Sequence, residues 1–119
     1  MGRALDRALA HVDRLAPHDR MLVEAQHAYR QGRHAEAGRL YREIADAYPE
    51  DVEAWYQLGE VMLHSGYLLG IPLDEAAEPF RRAVELDPEM YPALWHLVGL
   101  LPIYGDDAEY DAAVERLRR

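Results

Sequence analysis

Apolar residues recur every three or four positions along almost the whole chain, which is the spacing of amphipathic helices. Near the start, Leu5, Leu9 and Val12 form such a stripe with arginines elsewhere around the helix, and Pro17 follows as a stop. No stretch alternates between apolar and polar residues as a half-buried strand would. The pattern therefore predicts an all-α protein of about seven helices.

Helix-capping residues and helix breakers divide the rest of the chain. After Pro17 the predicted helices cover about residues 19–31, 35–47, 51–65, 74–86, 89–101 and 106–119. The expected N-caps are Asp19, Asp51 and Asp106, the last with Glu109 three residues on as a capping box. The expected helix ends are Gly32, Gly66, Pro49 and Pro102. Pro79 falls within the first turns of its helix and predicts a late start or a bend.

One predicted helix pair carries a specific spacing. Its residues fit W-x2-L-G followed by A-x3-F and a proline eight residues on: Trp55, Leu58, Gly59, Ala76, Phe80 and Pro88. This spacing resembles that of the tetratricopeptide repeat, a helix–turn–helix unit of about 34 residues that stacks on copies of itself. The resemblance implies an α-solenoid with its helices in antiparallel pairs.

The repeat register divides a single domain into four parts. Residues 1–17 are expected to form an N-terminal capping helix, 18–51 the first repeat, 52–90 the second and 91–119 the third. Small residues are expected where paired helices cross, because a large side chain would force them apart: Ala25, Ala37, Gly59 and Ala76. Large aromatic residues are expected to fill the gaps between helices: Trp55, Tyr41 and Phe80.

The second repeat contains an insertion near residues 67–73. Gly66 and Ala76 are ten positions apart, whereas Gly32 and Ala37, their counterparts in the first repeat, are five apart. The inserted segment is apolar for a loop, with Tyr67, Leu68, Leu69 and Ile71. One interpretation is a loop that folds back over the helix ends. The alternative is an exposed assembly contact, since exposed apolar patches mark interfaces.

Composition excludes several classes of function. The chain has 13 basic and 22 acidic residues and a net charge of -9, which argues against nucleic acid or an anionic membrane surface as a partner. No apolar segment is long enough to span a membrane and no signal peptide is visible, so a cytoplasmic location is expected. All 13 basic residues are arginine, and lysine, asparagine and threonine are absent. We interpret this bias as that of a GC-rich bacterial or archaeal genome.

The resemblance also implies a concave groove lined by the first helix of each pair. The matching positions are Leu22, Gln26, Tyr29, Tyr56, Glu60, Leu63, His64, Trp95 and His96. They lack the Lys, Asn and Arg set with which some repeats of this family clamp a C-terminal carboxylate. Their aromatic and aliphatic members instead favour a hydrophobic peptide or an amphipathic helix. The alternative is that several of them pack against the opening helix or the inserted loop.

The residues predict no catalytic or metal chemistry. Glu60 and His64 lie four apart on one predicted helix, and His96 falls on the next first helix, but no H-E-x-x-H spacing occurs. The chain has one serine, Ser65, and no cysteine or glycine-rich phosphate loop. We therefore expect no enzyme activity, no cofactor and no metal site.

Two hypotheses of function follow. The first is a non-catalytic scaffold that binds a protein or peptide partner in the groove, as an adaptor or regulatory module. The second is a self-assembling structural protein, in which head-to-tail contacts and the inserted loop build homo-oligomers or filaments.

Overall fold

A computed structural model describes residues 16–119 of the chain. Within that range the protein is helical and has no strand, as predicted. The six α-helices are α1 (Pro17–Arg30), α2 (His34–Ala47), α3 (Val52–Leu69), α4 (Ala77–Leu86), α5 (Tyr91–Tyr104) and α6 (Asp107–Arg118), and a 3-10 helix (Leu73–Ala76) leads into α4. The predicted capping helix at residues 1–17 falls almost wholly on residues 1–15, outside the described part.

The helices pack in chain order. Each of α1 to α5 packs against the helix that follows it, so that α1 and α2, α3 and α4, and α5 and α6 form successive pairs. Neighbour-on-neighbour packing of this kind is the architecture of an α-solenoid. The fold predicted from the repeat spacing is confirmed.

Small residues let the helices approach each other closely. Ala25, Ala37 and Ala76 have no solvent exposure. Gly59 on α3 lies directly against Phe80 on α4, and a Cβ atom added to Gly59 would come within 2.7–2.9 Å of three ring carbons. The α3–α4 crossing therefore depends on the absence of a side chain at Gly59.

Large residues fill the space between helices, also as predicted. Tyr41 and Phe80 are almost completely buried, and Trp55 is 7 % exposed. The Trp55 indole N–H donates a hydrogen bond to the Pro49 carbonyl oxygen at 2.9 Å, and the Arg82 guanidinium lies 5.4 Å from the centre of its ring. Trp55 thus connects the turn after α2 to the second helix of its own pair.

The start of α1 differs from the prediction. Its first residue is Pro17 and its N-cap is Ala16, whereas Asp19 lies inside the first turn. Proline fits the first helical position because the amide that it lacks would have no partner within the helix there. Asp51 and Asp106 are N-caps as predicted, and their carboxylates accept hydrogen bonds from the amides of Ala54 and Glu109.

The end of α3 also differs from the prediction. The helix does not stop at Gly66 but continues for another turn to Leu69 and ends at Gly70, whose φ of 71° is left-handed. Gly66 is buried inside the helix, where its carbonyl accepts a hydrogen bond from the Ile71 amide at 2.9 Å. The predicted inserted loop is therefore one additional helical turn, a sharp reversal and the 3-10 helix.

Two prolines lie inside helices. Pro102 does not end α5, which runs on to Tyr104. Pro102 lies in the last turn and, like any proline, removes one intrahelical hydrogen bond because it has no amide to donate. Pro79 lies at the third position of α4, where an amide would have no acceptor within the helix in any case. The α-helix starts late, at Ala77.

Candidate functional site

The predicted groove residues are distributed over the first helix of each pair. Leu22, Gln26 and Tyr29 lie on α1, the residues Tyr56, Glu60, Leu63 and His64 lie on α3, and Trp95 and His96 lie on α5. We call this set the first-helix face. The structure brings four of its members together, namely Tyr56, Glu60, His64 and His96.

Glu60 is at the centre of this cluster. One of its carboxylate oxygens lies 2.9 Å from Nε2 of His64, one helical turn further along α3. The other oxygen lies 2.6 Å from Nε2 of His96 on α5. The Tyr56 phenol, one turn before Glu60 on α3, also interacts with this carboxylate. Three side chains from two helices thus converge on one half-buried carboxylate.

Ring packing holds His96 in place within the cluster. Its imidazole stacks on Tyr56 with ring centres 6.3 Å apart and lies 5.0 Å from the ring of Phe80. The His64 ring meets it edge-on at 6.0 Å. His96 and Glu60 are largely covered, whereas about half of the His64 side chain is exposed. The cluster therefore opens to solvent on the His64 side.

The Glu60 charge affects its tyrosine neighbour. Burial raises the pKa of the Tyr56 phenol, and its hydrogen bond to Glu60 raises it further. Tyr56 consequently remains a neutral donor toward the carboxylate over the physiological pH range. The arrangement can bind protons or a cation at the two imidazoles and the carboxylate.

An exposed apolar stripe runs along α5. Tyr91, Trp95 and Ile103 are 49 %, 68 % and 67 % exposed. Gly99 lies between Trp95 and Ile103 at the same spacing of four, and open space surrounds it. Of the three exposed apolar side chains, Trp95 alone was predicted as a binding residue. Tyr91 and Ile103 could have been found from the sequence, because they lie at multiples of four positions from Trp95 on a helix that is apolar on nearly every side.

The α1 residues lie apart from the Glu60 cluster. The Tyr29 ring packs edge-on against His34 of α2, with ring centres 5.4 Å apart. Leu22 is half-buried against the core and Gln26 is exposed. Leu63 of α3 is likewise half-buried against the core. Leu22 and Leu63 therefore contribute to the packing of the described helices.

The inserted segment divides into two parts. Tyr67 and Leu68, in the additional turn of α3, are 80 % and 61 % exposed. Leu69 is half-buried, and Ile71 folds back against the core beside Gly66. The fold-back interpretation fits Ile71, and the exposed-contact interpretation fits Tyr67 and Leu68.

A serine–histidine pair was not anticipated from the sequence. The Ser65 hydroxyl lies 3.1 Å from Nδ1 of His34 and connects α3 to the start of α2. Ser65 is 3 % exposed, so its hydroxyl is inaccessible to a substrate. We interpret the pair as a structural hydrogen bond between helices.

Comparison with known families agrees with the architecture. Residues 18–61 match the family model of the tetratricopeptide repeat, which covers α1, α2 and the first half of α3. A search of curated proteins found no match. None of the helices in residues 16–119 combines the length and the apolar character needed to cross a membrane.

Proposed function

Because the chain is a tetratricopeptide-repeat protein, we propose that it is a non-catalytic scaffold that binds a peptide or an amphipathic helix along its first-helix face. Repeats of this family generally act as protein–protein interaction modules. The observation that carries the proposal is the exposure of Trp95 in the middle of the α5 stripe. A large, rigid aromatic side chain left in water at the binding face of such a fold is a typical anchor for a partner.

The surroundings of Trp95 favour an apolar ligand with basic flanks. Tyr91 and Ile103 extend the apolar surface along α5, and Gly99 leaves space beside it for a ligand side chain. The net charge of -9 attracts positively charged segments from a distance. We infer a partner segment with apolar residues at helical spacing and Lys or Arg around them.

The cellular setting belongs to the same proposal. The use of arginine alone among basic residues supports a prokaryotic origin, and the acidic composition suits a cytoplasmic adaptor or regulatory module. The burial of the one serine supports the non-catalytic assignment.

The Trp95→Ala variant tests the proposal. Peptides selected on the wild-type protein from a displayed library should bind Trp95→Ala at least about tenfold more weakly, because a central aromatic anchor contributes about 2 kcal/mol or more. Tyr67→Ala is the matched control, since Tyr67 is more exposed than Trp95 but lies in the additional turn of α3. Equal binding by wild type and Trp95→Ala would remove the α5 stripe from the function.

The second candidate function is self-assembly, and the exposure of Tyr67 and Leu68 favours it. In that case the wild-type protein should show a sedimentation coefficient that rises with concentration, and Leu68→Asp should abolish the rise. Trp95→Ala should leave the rise unchanged. A fixed monomeric coefficient over the whole concentration range would exclude this candidate.

A further inference from the structure

We propose that Glu60, His64 and His96 form a binding site for a divalent transition-metal ion of the zinc class, on the first-helix face between α3 and α5. The proposal departs from the sequence-based expectation that the chain has no metal site. It does not depend on the identity of any peptide partner.

The first argument is the convergence of donor atoms. One ring nitrogen from each of His64 and His96 and one carboxylate oxygen of Glu60 all lie within 4.8 Å of one another. Both imidazoles present the same nitrogen to one carboxylate from two different helices. Three ligands at about 2.0–2.1 Å from a tetrahedral Zn²⁺ lie about 3.3 Å from each other. The separations of 2.6 and 2.9 Å, which run to different Glu60 oxygens, need to widen by less than about 1 Å to reach that spacing, and the remaining separations, none above 4.8 Å, need to shorten by at most about 1.5 Å.

The second argument is the type of ligand. Two imidazoles and one carboxylate suit Zn²⁺ and its neighbours Co²⁺, Ni²⁺ and Cu²⁺, whereas Ca²⁺ and Mg²⁺ require more oxygen ligands than one glutamate supplies. Three protein ligands leave a fourth tetrahedral position. About half of the His64 side chain is exposed, so the cluster is open to water on that side.

The third argument is the support around the ligands. The Tyr56 phenol interacts with the Glu60 carboxylate from one turn away on α3. Contacts with Tyr56 and Phe80 restrict the rotation of the His96 ring. Outer groups of this kind orient metal ligands, and their loss typically weakens metal binding about 10–100-fold. His64 is the more exposed ligand and provides the route of entry.

The proposal is tested by titrating Zn²⁺ into tag-free, chelator-treated protein by calorimetry. Wild type should bind one ion per chain, and Co²⁺ in its place should give the visible absorption of a tetrahedral site. His96→Ala and the nearly isosteric Glu60→Gln should each weaken binding by more than about 100-fold, since each removes a direct ligand. Tyr56→Phe should weaken it by about tenfold or more, because it removes only the outer hydroxyl group.

His27→Ala is the matched control, since His27 lies on α1 away from the cluster, and it should bind Zn²⁺ like the wild type. Helical circular dichroism of each variant in the absence of metal identifies any that fail to fold. If His96→Ala does not fold, Glu60→Gln decides. Absence of stoichiometric binding to the wild type, or binding that Glu60→Gln leaves unchanged, would overturn the proposal.

The experiment is independent of the scaffold function. Loss of metal binding in Glu60→Gln with retention of peptide binding would support the metal site alone. Loss of peptide binding in Trp95→Ala with normal Zn²⁺ titration would support the scaffold function alone.

Discussion

At the scale of single residues, Gly59 and Phe80 determine how closely α3 and α4 approach. The Phe80 ring occupies the volume in which a side chain at residue 59 would lie. Phe80 is fully buried, so its ring has no free space into which to move. Any side chain at residue 59 must therefore separate the two helices or displace the ring.

Gly59→Ala should consequently destabilise the protein by about 1–3 kcal/mol, the usual cost of overpacking a well-packed core. Gly99→Ala is the control, because a Cβ atom there meets only open space on a helix of similar length. Alanine is the better helix former, so Gly99→Ala should stabilise the protein by up to about 1 kcal/mol. Chemical denaturation of both variants measures the difference. A Gly59→Ala variant as stable as the wild type, or more stable, would show that the α3–α4 contact is not close-packed.

The sequence predicted the packing residues better than the site residues. Gly59, Ala76 and Phe80 belong to a spacing that specifies their neighbours. The contact between Glu60 and His96 has no such signal, because it depends on how far α5 is displaced and rotated relative to α3. Glu60 and His64 could be paired from their spacing of four, and the repeat register put His96 on the next first helix, but the contact of His96 with Glu60 could be established only by the tertiary structure.

At the scale of helices, two of the three predicted N-caps were correct, whereas the predicted end of α3 was not. Asp51 and Asp106 were identified as N-caps from their residue type, since a carboxylate accepts the free amides of a first turn. The end of α3 had two candidate glycines, Gly66 and Gly70. A glycine inside a helix costs only about 1 kcal/mol, so packing decides between them. Ile71 folds over Gly66, and only Gly70 has the left-handed backbone of a helix end.

The capping box of α6 is only half formed. Asp106 accepts a hydrogen bond from the Glu109 amide at 2.7 Å, but the Glu109 carboxylate extends to Arg81 on α4 at 2.6 Å instead of returning to Asp106. An arginine on a neighbouring helix is thus a stronger partner for Glu109 than the Asp106 amide. The sequence could not predict this competition, because Arg81 lies 28 positions away.

Asp106→Ala should destabilise α6 by about 1 kcal/mol through loss of the cap. Asp107→Ala is the matched control, since Asp107 is a first-turn acid that favours the helix dipole only, worth a few tenths of a kcal/mol. Thermal unfolding should place the midpoint of Asp106→Ala below that of Asp107→Ala. Identical midpoints for the two variants would mean that the Asp106 hydrogen bond contributes nothing.

At the scale of the whole molecule, packing in chain order makes stability local. In the described part of the chain, α6 packs chiefly against α5, and its main link to α4 is the partly exposed pair of Arg81 and Glu109. Ion pairs with this degree of exposure contribute at most about 1 kcal/mol. Within residues 16–119, α6 is therefore packed by one helix, α5, whereas α3 and α4 each have a helix on both sides.

This asymmetry leads to a prediction about hydrogen exchange. Ala113 is the buried residue of α6, and Ala113→Gly weakens both its helix and its contact with α5, by about 1 kcal/mol for helix propensity alone. Amide exchange should accelerate most in α6, less in α5 and not measurably in α2, because a solenoid transmits a perturbation only through nearest-neighbour contacts. In a single cooperative core, the same substitution would accelerate the slowest amides of every helix equally. A uniform change from α1 to α6 would therefore contradict the local account, and the first-helix face would then have to open and close as one unit.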